Sequence, residues 1–135
     1  MVCIFCKYGL LDLLKFIVEN PDFNIDFNVV NQYGNTPLNI ACYNGQFEVA
    51  KFLLDNSNEK EIDIYKKNNY QQTAEDLARF KGHKDILELL EIWTLPKRIE
   101  AEKARLETLR MKYYNSPENH KTIFEWLVYF LELLE

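Results

Sequence analysis

The chain has 135 residues, 47% of them hydrophobic and 27% charged, a balance expected of one domain, or one domain with an appendage, that buries a core. Glycine and proline number four each, which excludes a collagen-like or broadly disordered chain, and a net charge of −5 offers no footprint for a nucleic-acid backbone. Three cysteines make no disulfide framework, and no basic stretch followed by an apolar core and a cleavage site opens the chain, so a soluble, cytoplasmic protein in a reducing compartment is expected.

In chain order, three segments align: Phe5-Cys6-Lys7-Tyr8-Gly9, Ala41-Cys42-Tyr43-Asn44-Gly45 and Ala78-Arg79-Phe80-Lys81-Gly82. Their glycines are 36 and 37 residues apart, a period that signals stacked supersecondary units. Each glycine is followed by apolar residues at helical spacing: Leu10, Leu13, Leu14 and Ile17; then Phe47, Val49, Phe52 and Leu53; then Ile86, Leu87 and Leu90. Before the second glycine, Thr36-Pro37 offers a hydroxyl cap with proline at the first helical position. Before the third, Thr73 with Asp76 three residues on forms a capping-box pattern. The unit is a short helix, a reversal at glycine and a longer helix running back, because a helix commonly ends in the left-handed region where a Cβ is penalised. The remaining glycine, Gly34, sits in the turn composition Asn31-Gln32-Tyr33-Gly34-Asn35.

Gly34-Asn35-Thr36-Pro37-Leu38-Asn39-Ile40-Ala41, followed by Gly45-Gln46-Phe47-Glu48-Val49-Ala50-Lys51-Phe52-Leu53-Leu54, resembles an ankyrin repeat. Thr73-Ala74-Glu75-Asp76-Leu77-Ala78 with Gly82-His83-Lys84-Asp85-Ile86 resembles a diverged second one. Residues 6–28, ending in Asp26-Phe27-Asn28, resemble the back half of a third. The resemblance implies an all-α fold: a short helix-turn-helix solenoid of about two and a half repeats over residues 1–93, followed by a helical extension over 94–135. Asn39 replaces the family's usual histidine, which removes that residue's link between repeats, and Gln71 stands where Gly34 predicts glycine, which implies an altered second tip. Residues 56–61 read as a polar inserted loop. The first repeat opens on Val2, Ile4 and Phe5 without a polar cap, so either another chain covers this end or a shortened first helix folds over it.

From Leu95 the pattern changes. Leu95, Ile99, Glu102, Leu106, Leu109 and Tyr113 are spaced 4, 3, 4, 3, 4, and residues 97–112 hold six basic and three acidic side chains. The spacing predicts a helix over about 95–114 with one apolar stripe, packed on the last repeat or in a coiled coil. Asn115-Ser116-Pro117-Glu118 then breaks it and starts another over about 117–135, with Ser116 as cap and Glu118 complementing the helix dipole. Ten of the twelve residues from 123 to 134 are apolar. That run falls short of the roughly 20 residues a membrane span requires, and its polar residues are Glu125 and Glu132 rather than basic ones, so neither membrane mode is expected. A single stripe of Ile123, Leu127, Leu131 and Leu134 is enough to pack on the basic helix. Phe124, Trp126, Phe130 and Leu133 are left for a partner.

Catalytic chemistry finds little footing. Cys3-Ile4-Phe5-Cys6 is half of a redox or zinc motif, but no second pair follows and His83 and His120 are remote in sequence. The resemblance places Cys6 and Cys42 in packing between helices and gives His83 the same kind of role, with His120 facing solvent. Serine occurs only at Ser57 and Ser116, and no glycine-rich loop is present to cradle phosphate. No catalytic residue, cofactor or metal is expected, and a small redox protein using Cys3 and Cys6 is the remote alternative.

The resemblance instead implies a concave recognition face. Its outward positions are Gln32, Tyr33, Asn35, Asn69, Tyr70 and Gln72 at the tips, and Lys7, Tyr8, Tyr43, Asn44, Phe80 and Lys81 at the ends of the short helices. Five of these twelve are aromatic, a residue class enriched at binding hot spots. The expectation is a non-enzymatic interaction module that binds protein through Tyr8, Tyr33, Tyr43, Tyr70 and Phe80 and through the last helix. It would be a structural or adaptor subunit of a larger intracellular complex, cytoskeletal or otherwise, with a freely diffusing regulatory adaptor as the alternative.

Overall fold

The computed structural model describes residues 1–114 and 121–135, with side chains described outside 113–124. The expected cap at Ser116 and Pro117, the placement of Glu118 and His120, and the side chains of Tyr113, Ile123 and Phe124 lie outside the described residues. Among the described residues every regular element is helical: α1 (Val2–Tyr8), α2 (Leu11–Glu19), α3 (Pro37–Tyr43), α4 (Phe47–Asp55), α5 (Ala74–Lys81), α6 (Lys84–Tyr114) and α7 (Lys121–Leu133). The chain divides into two compact units, Met1–Glu91 and Ile92–Glu135.

In the first unit the short helices α1, α3 and α5 stand side by side, α3 touching both neighbours. Their starts follow from the local sequence. The Thr36 hydroxyl accepts the Asn39 N–H at 3.2 Å with Pro37 at the first position, and Thr73 and Asp76 complete a reciprocal capping box. Each short helix is followed by a glycine at φ between 68° and 74°. The core is the small and aliphatic set between the helices: Cys6, Leu14, Leu38, Ala41, Cys42, Val49, Leu53, Ala78, Ile86 and Leu90. Of the first predicted stripe only Leu14 and Ile17 are buried, whereas Leu10 and Leu13 are 39% and 48% exposed. The reason is positional: among the described residues, α1 and α2 have a neighbouring repeat on the α3 side alone. Nor is the first helix shortened, for α1 has seven residues, as α3 has, and buries Val2 and Cys6.

Between consecutive repeats the chain forms repeated rungs. The Gln46 amide donates to the Lys7 carbonyl at 3.1 Å, and a His83 ring nitrogen lies 3.2 Å from the Tyr43 carbonyl. Both side chains follow a repeat's glycine and reach the end of the preceding short helix, where four carbonyls lack helical partners. The same side chains press on the preceding glycine: a Cβ on Gly9 would lie 2.3 Å from Gln46 Oε1, and one on Gly45 2.7 Å from His83 Cε1.

Two departures from the family pattern are absorbed locally. Asn39 is buried and its amide still crosses to the next repeat, at 3.4 Å from the Lys66 carbonyl. Gln71 takes φ 62°, close to the 74° of Gly34, so the second tip keeps the backbone of the first rather than an altered one. Residues 56–61 form the expected loop, a compact turn closed by the Ile62 N–H on the Ser57 carbonyl at 2.8 Å.

In the second unit the helix expected to begin near 95 is the continuation of α6, with Pro96 inside it. A proline removes one N–H and crowds the carbonyl four residues back, here Ile92, but the flanking helical bonds carry the helix through. Ile99, Leu106 and Leu109 of the predicted stripe are half-buried and Leu95 is exposed. On α7, Leu127 and Leu131 are buried, and Glu135 just beyond it pairs with Lys103 at 3.4 Å.

Candidate partner-binding face

Each tip is built by an asparagine. The Asn31 Oδ1 accepts the N–H groups of Tyr33 and Asn35 at 2.9 and 3.0 Å, and the Asn68 Oδ1 accepts those of Tyr70 and Gln72 at 2.9 and 3.0 Å. Asparagine suits both positions because its side chain mimics the backbone of a turn. The tips are also locked to each other. Asn69 donates its N–H to the Tyr33 carbonyl at 3.0 Å and its amide to the Gln32 carbonyl at 3.2 Å. Gly34 is needed here twice over: its φ is 74°, and a Cβ would lie 2.4 Å from Asn69 Oδ1 and 2.9 Å from the Asn69 backbone nitrogen.

These tips hold Tyr33 and Tyr70 outward above the short helices, 48% and 68% exposed, while Tyr43 on α3 and Phe80 on α5 are 39% and 74% exposed. Together they wall a groove of about 370 Å³ between the second and third repeats, completed by Asn35, Asn68, Gln72 and Leu77. A second groove of about 360 Å³ between the first and second repeats shares Tyr33, Asn35 and Tyr43, and adds Cys3, Ile4, Lys7, Asn31, Ile40 and Asn44. Four of the five expected aromatic residues of this face are therefore neighbours. Tyr8 is exposed at the end of α1 with the Lys7 ammonium 5.4 Å from its ring centroid, and it lines neither groove. Lys81 lies over Tyr43 at 4.7 Å, a cation–π distance.

The expected residues Trp126, Phe130 and Leu133 lie on α7, and all three are exposed. Trp126 and Phe130, one turn apart, stack at 5.9 Å, and Tyr129 meets each edge-on at 6.1 and 5.8 Å. Tyr129 was not singled out from the sequence. Nor was Asn68, although its spacing of 37 residues from Asn31 matches the repeat period and marks it as the second tip's turn-former.

The cysteines are poorly suited to chemistry. Cys6 and Cys42 are buried, and desolvation pushes both thiols up to about 12, each raised further by a neighbouring thiol. Burial also raises Cys3, half-buried on α1. The thiolate is the nucleophile and the metal ligand, and at neutral pH these groups stay protonated. Among the described residues no three His, Cys, Asp or Glu side chains are grouped to hold a metal, and no helix is long and apolar enough to cross a membrane.

The family model described as "Ankyrin repeats (3 copies)" matches residues 1–93. Over 115 residues, 84% of this chain, the sequence is 35% identical to Serine/threonine-protein kinase TNNI3K of Mus musculus. It is 40% identical over 55 residues to BTB/POZ domain-containing protein 3 of Schizosaccharomyces pombe, and 43% identical over 54 residues to DNA replication inhibitor plutonium of Drosophila melanogaster. The chain spans only 12%, 10% and 29% of the lengths of these relatives. With three helix pairs stacked at a period of 36 and 37 residues and a family match over the same span, the chain belongs to the ankyrin-repeat family.

Proposed function

We propose that this protein is a non-enzymatic interaction module that binds a protein partner along the face formed by its tips and short helices. The observation that carries the reading is the groove in which Tyr33, Tyr43, Tyr70 and Phe80 meet, each at least 39% exposed. Rigid aromatic side chains held by a hydrogen-bonded scaffold offer contact area without much ordering cost, which is the chemistry of a protein-binding surface. The relatives' names describe a kinase, a BTB/POZ protein and a replication inhibitor, and the matched stretch is 12%, 10% and 29% of their respective lengths. A portable binding element accounts for that distribution more simply than a shared activity.

The exposed aromatics of α7 favour a structural or adaptor subunit over a freely diffusing one. Trp126, Phe130 and Leu133 form an apolar surface of the kind that marks an interaction site, and α7 is its anchor in this reading. A cytoplasmic assembly, cytoskeletal or otherwise, is the setting that we propose.

The test is a paired substitution. Truncating a hot-spot residue costs roughly 2 kcal/mol or more, about thirtyfold in affinity. Tyr33→Ala with Tyr70→Ala is therefore expected to abolish partner binding while leaving the unfolding transition of the repeats nearly in place. Unchanged affinity in that double variant would remove this face as the site.

A further inference from the structure

We infer that the groove between the second and third repeats recognises an acidic side chain, an Asp or Glu of a partner's peptide segment set beside an apolar residue. This deepens the reading of the concave face and rests on it. The inference starts from Asn68, which is only 4% exposed. Its Oδ1 accepts two backbone N–H groups, from Tyr70 and Gln72, which fixes the orientation of its amide. The Nδ2 must then donate, and it does so to Asn35 Oδ1 at 2.9 Å and Gln72 Oε1 at 3.1 Å. Both recipients line the groove. With their oxygens engaged by Asn68, Asn35 and Gln72 are left to present their amino groups, which have no hydrogen-bond partner among the described residues. One buried carboxamide thus sorts two half-buried ones so that the groove offers donors.

Lys81 adds charge of the matching sign. Its ammonium stands 4.7 Å from the ring of Tyr43, a wall of the groove, and among the described residues it makes no ion pair. Two amide donors in the groove, with an ammonium over one of its aromatic walls, complement a carboxylate next to an apolar side chain, whereas a cationic group would face those same donors and the ammonium. Hydrogen bonds to a charged acceptor are the strong ones, and partial desolvation by the aromatic walls strengthens them. The acidic character of the chain as a whole does not oppose this, because Asp76 and Glu75, near the start of α5, are already paired with Arg79.

The experiment pans short random peptides displayed on phage against the full-length chain, then measures the recovered peptides in solution by fluorescence anisotropy. Peptides with Asp or Glu beside an apolar residue are expected, with a loss of at least about tenfold when that residue is changed to its amide. The key protein variant is Asn35→Asp with Gln72→Glu. It keeps both oxygens that Asn68 donates to, so the tips should fold, but it replaces the amino donors by anionic acceptors. It is expected to bind the acidic peptides at least about tenfold more weakly. Lys81→Gln, which leaves the tip network untouched, should weaken them severalfold. Recovery of no peptide, of peptides without acidic residues, or of acidic ones that both protein variants bind as tightly as the wild type would overturn the inference. Tyr33→Ala with Tyr70→Ala separates the two levels. Non-acidic peptides lost in that variant leave the face as the site and reject the acidic preference, and peptides indifferent to the tyrosines reject the face itself.

Discussion

At the scale of single residues, the start of α5 shows how charge and hydrogen bonding combine. Asp76 accepts the Thr73 N–H at 2.9 Å and the Thr73 hydroxyl at 3.0 Å, with Arg79 3.7 Å away. The backbone hydrogen bond is the largest influence holding its carboxyl below the usual range; burial opposes it as the next largest, and the hydroxyl and nearby cations add smaller downward effects. A carboxyl depressed in the folded state stabilises the fold above its unfolded pKa, about 4, and that contribution disappears as pH falls through the lower folded value. Asp76→Ala should therefore lower stability at neutral pH by about 0.5–1 kcal/mol, toward the low end because the side chain is half-exposed and screened. Urea titrations at neutral pH and well below pH 4 should show the difference between variant and wild type shrinking with acidity. A gap that stays constant would mean that the carboxylate charge has no part in the cap.

At the scale of single elements, the end of a short helix is tied to the next repeat by one side chain, Gln46 reaching α1 and His83 reaching α3. Such rungs act on helix ends, where a lost hydrogen bond is replaced only by water. Each of Gln46→Ala and His83→Ala is expected to destabilise the repeats by about 0.5–1.5 kcal/mol. The rungs share no residue, so the double variant should lose close to the sum, as independent sites do. Denaturant unfolding of the four proteins in the cycle checks this. A coupling as large as either single effect would show that the rungs act as one unit, as expected if repeat stacking transmits strain along the short helices. The same geometry explains why Gly9 and Gly45 have side chains pressed on them, whereas a Cβ on Gly82 would meet nothing within 4 Å.

For the molecule as a whole, the apolar surface of α7 sets the expected behaviour in solution. Trp126, Tyr129, Phe130 and Leu133 are each at least 46% exposed, and burying a large apolar side chain contributes roughly 1.5–3 kcal/mol. The full chain should therefore bind a hydrophobic dye such as anilinonaphthalene sulfonate and associate at high concentration. Deleting residues 116–135 should remove both properties while the repeat unit unfolds at nearly the same denaturant concentration. Dye binding that survives the deletion would place the exposed surface elsewhere, on Leu10, Leu13 and Phe16 of the first repeat, for instance. A large drop in repeat stability would instead make α7 a stabilising element rather than an anchor.

Periodicity and caps were readable from the chain alone, because they are local. The glycine spacing, Thr36-Pro37 and the Thr73 box each act within a turn or two of their own position, and their physics does not wait for the rest of the fold. The aromatic positions of the candidate face were legible for the same reason, through their offset from each glycine. Tertiary structure decided what depends on neighbours. Gln71 accepts a left-handed backbone because Asn68 bonds the N–H groups on either side of it. Leu13 stays exposed because no described repeat packs on the far side of the first, although Val49 and Ile86 at the matching positions after their glycines are buried. The α6 helix passes Pro96, where the dipeptide alone reads as a boundary. The donor character of the groove was invisible in a string of asparagines and glutamines, since a carboxamide carries both donor and acceptor. Only the buried Asn68, with its oxygen taken by two backbone N–H groups, settles which end its neighbours present.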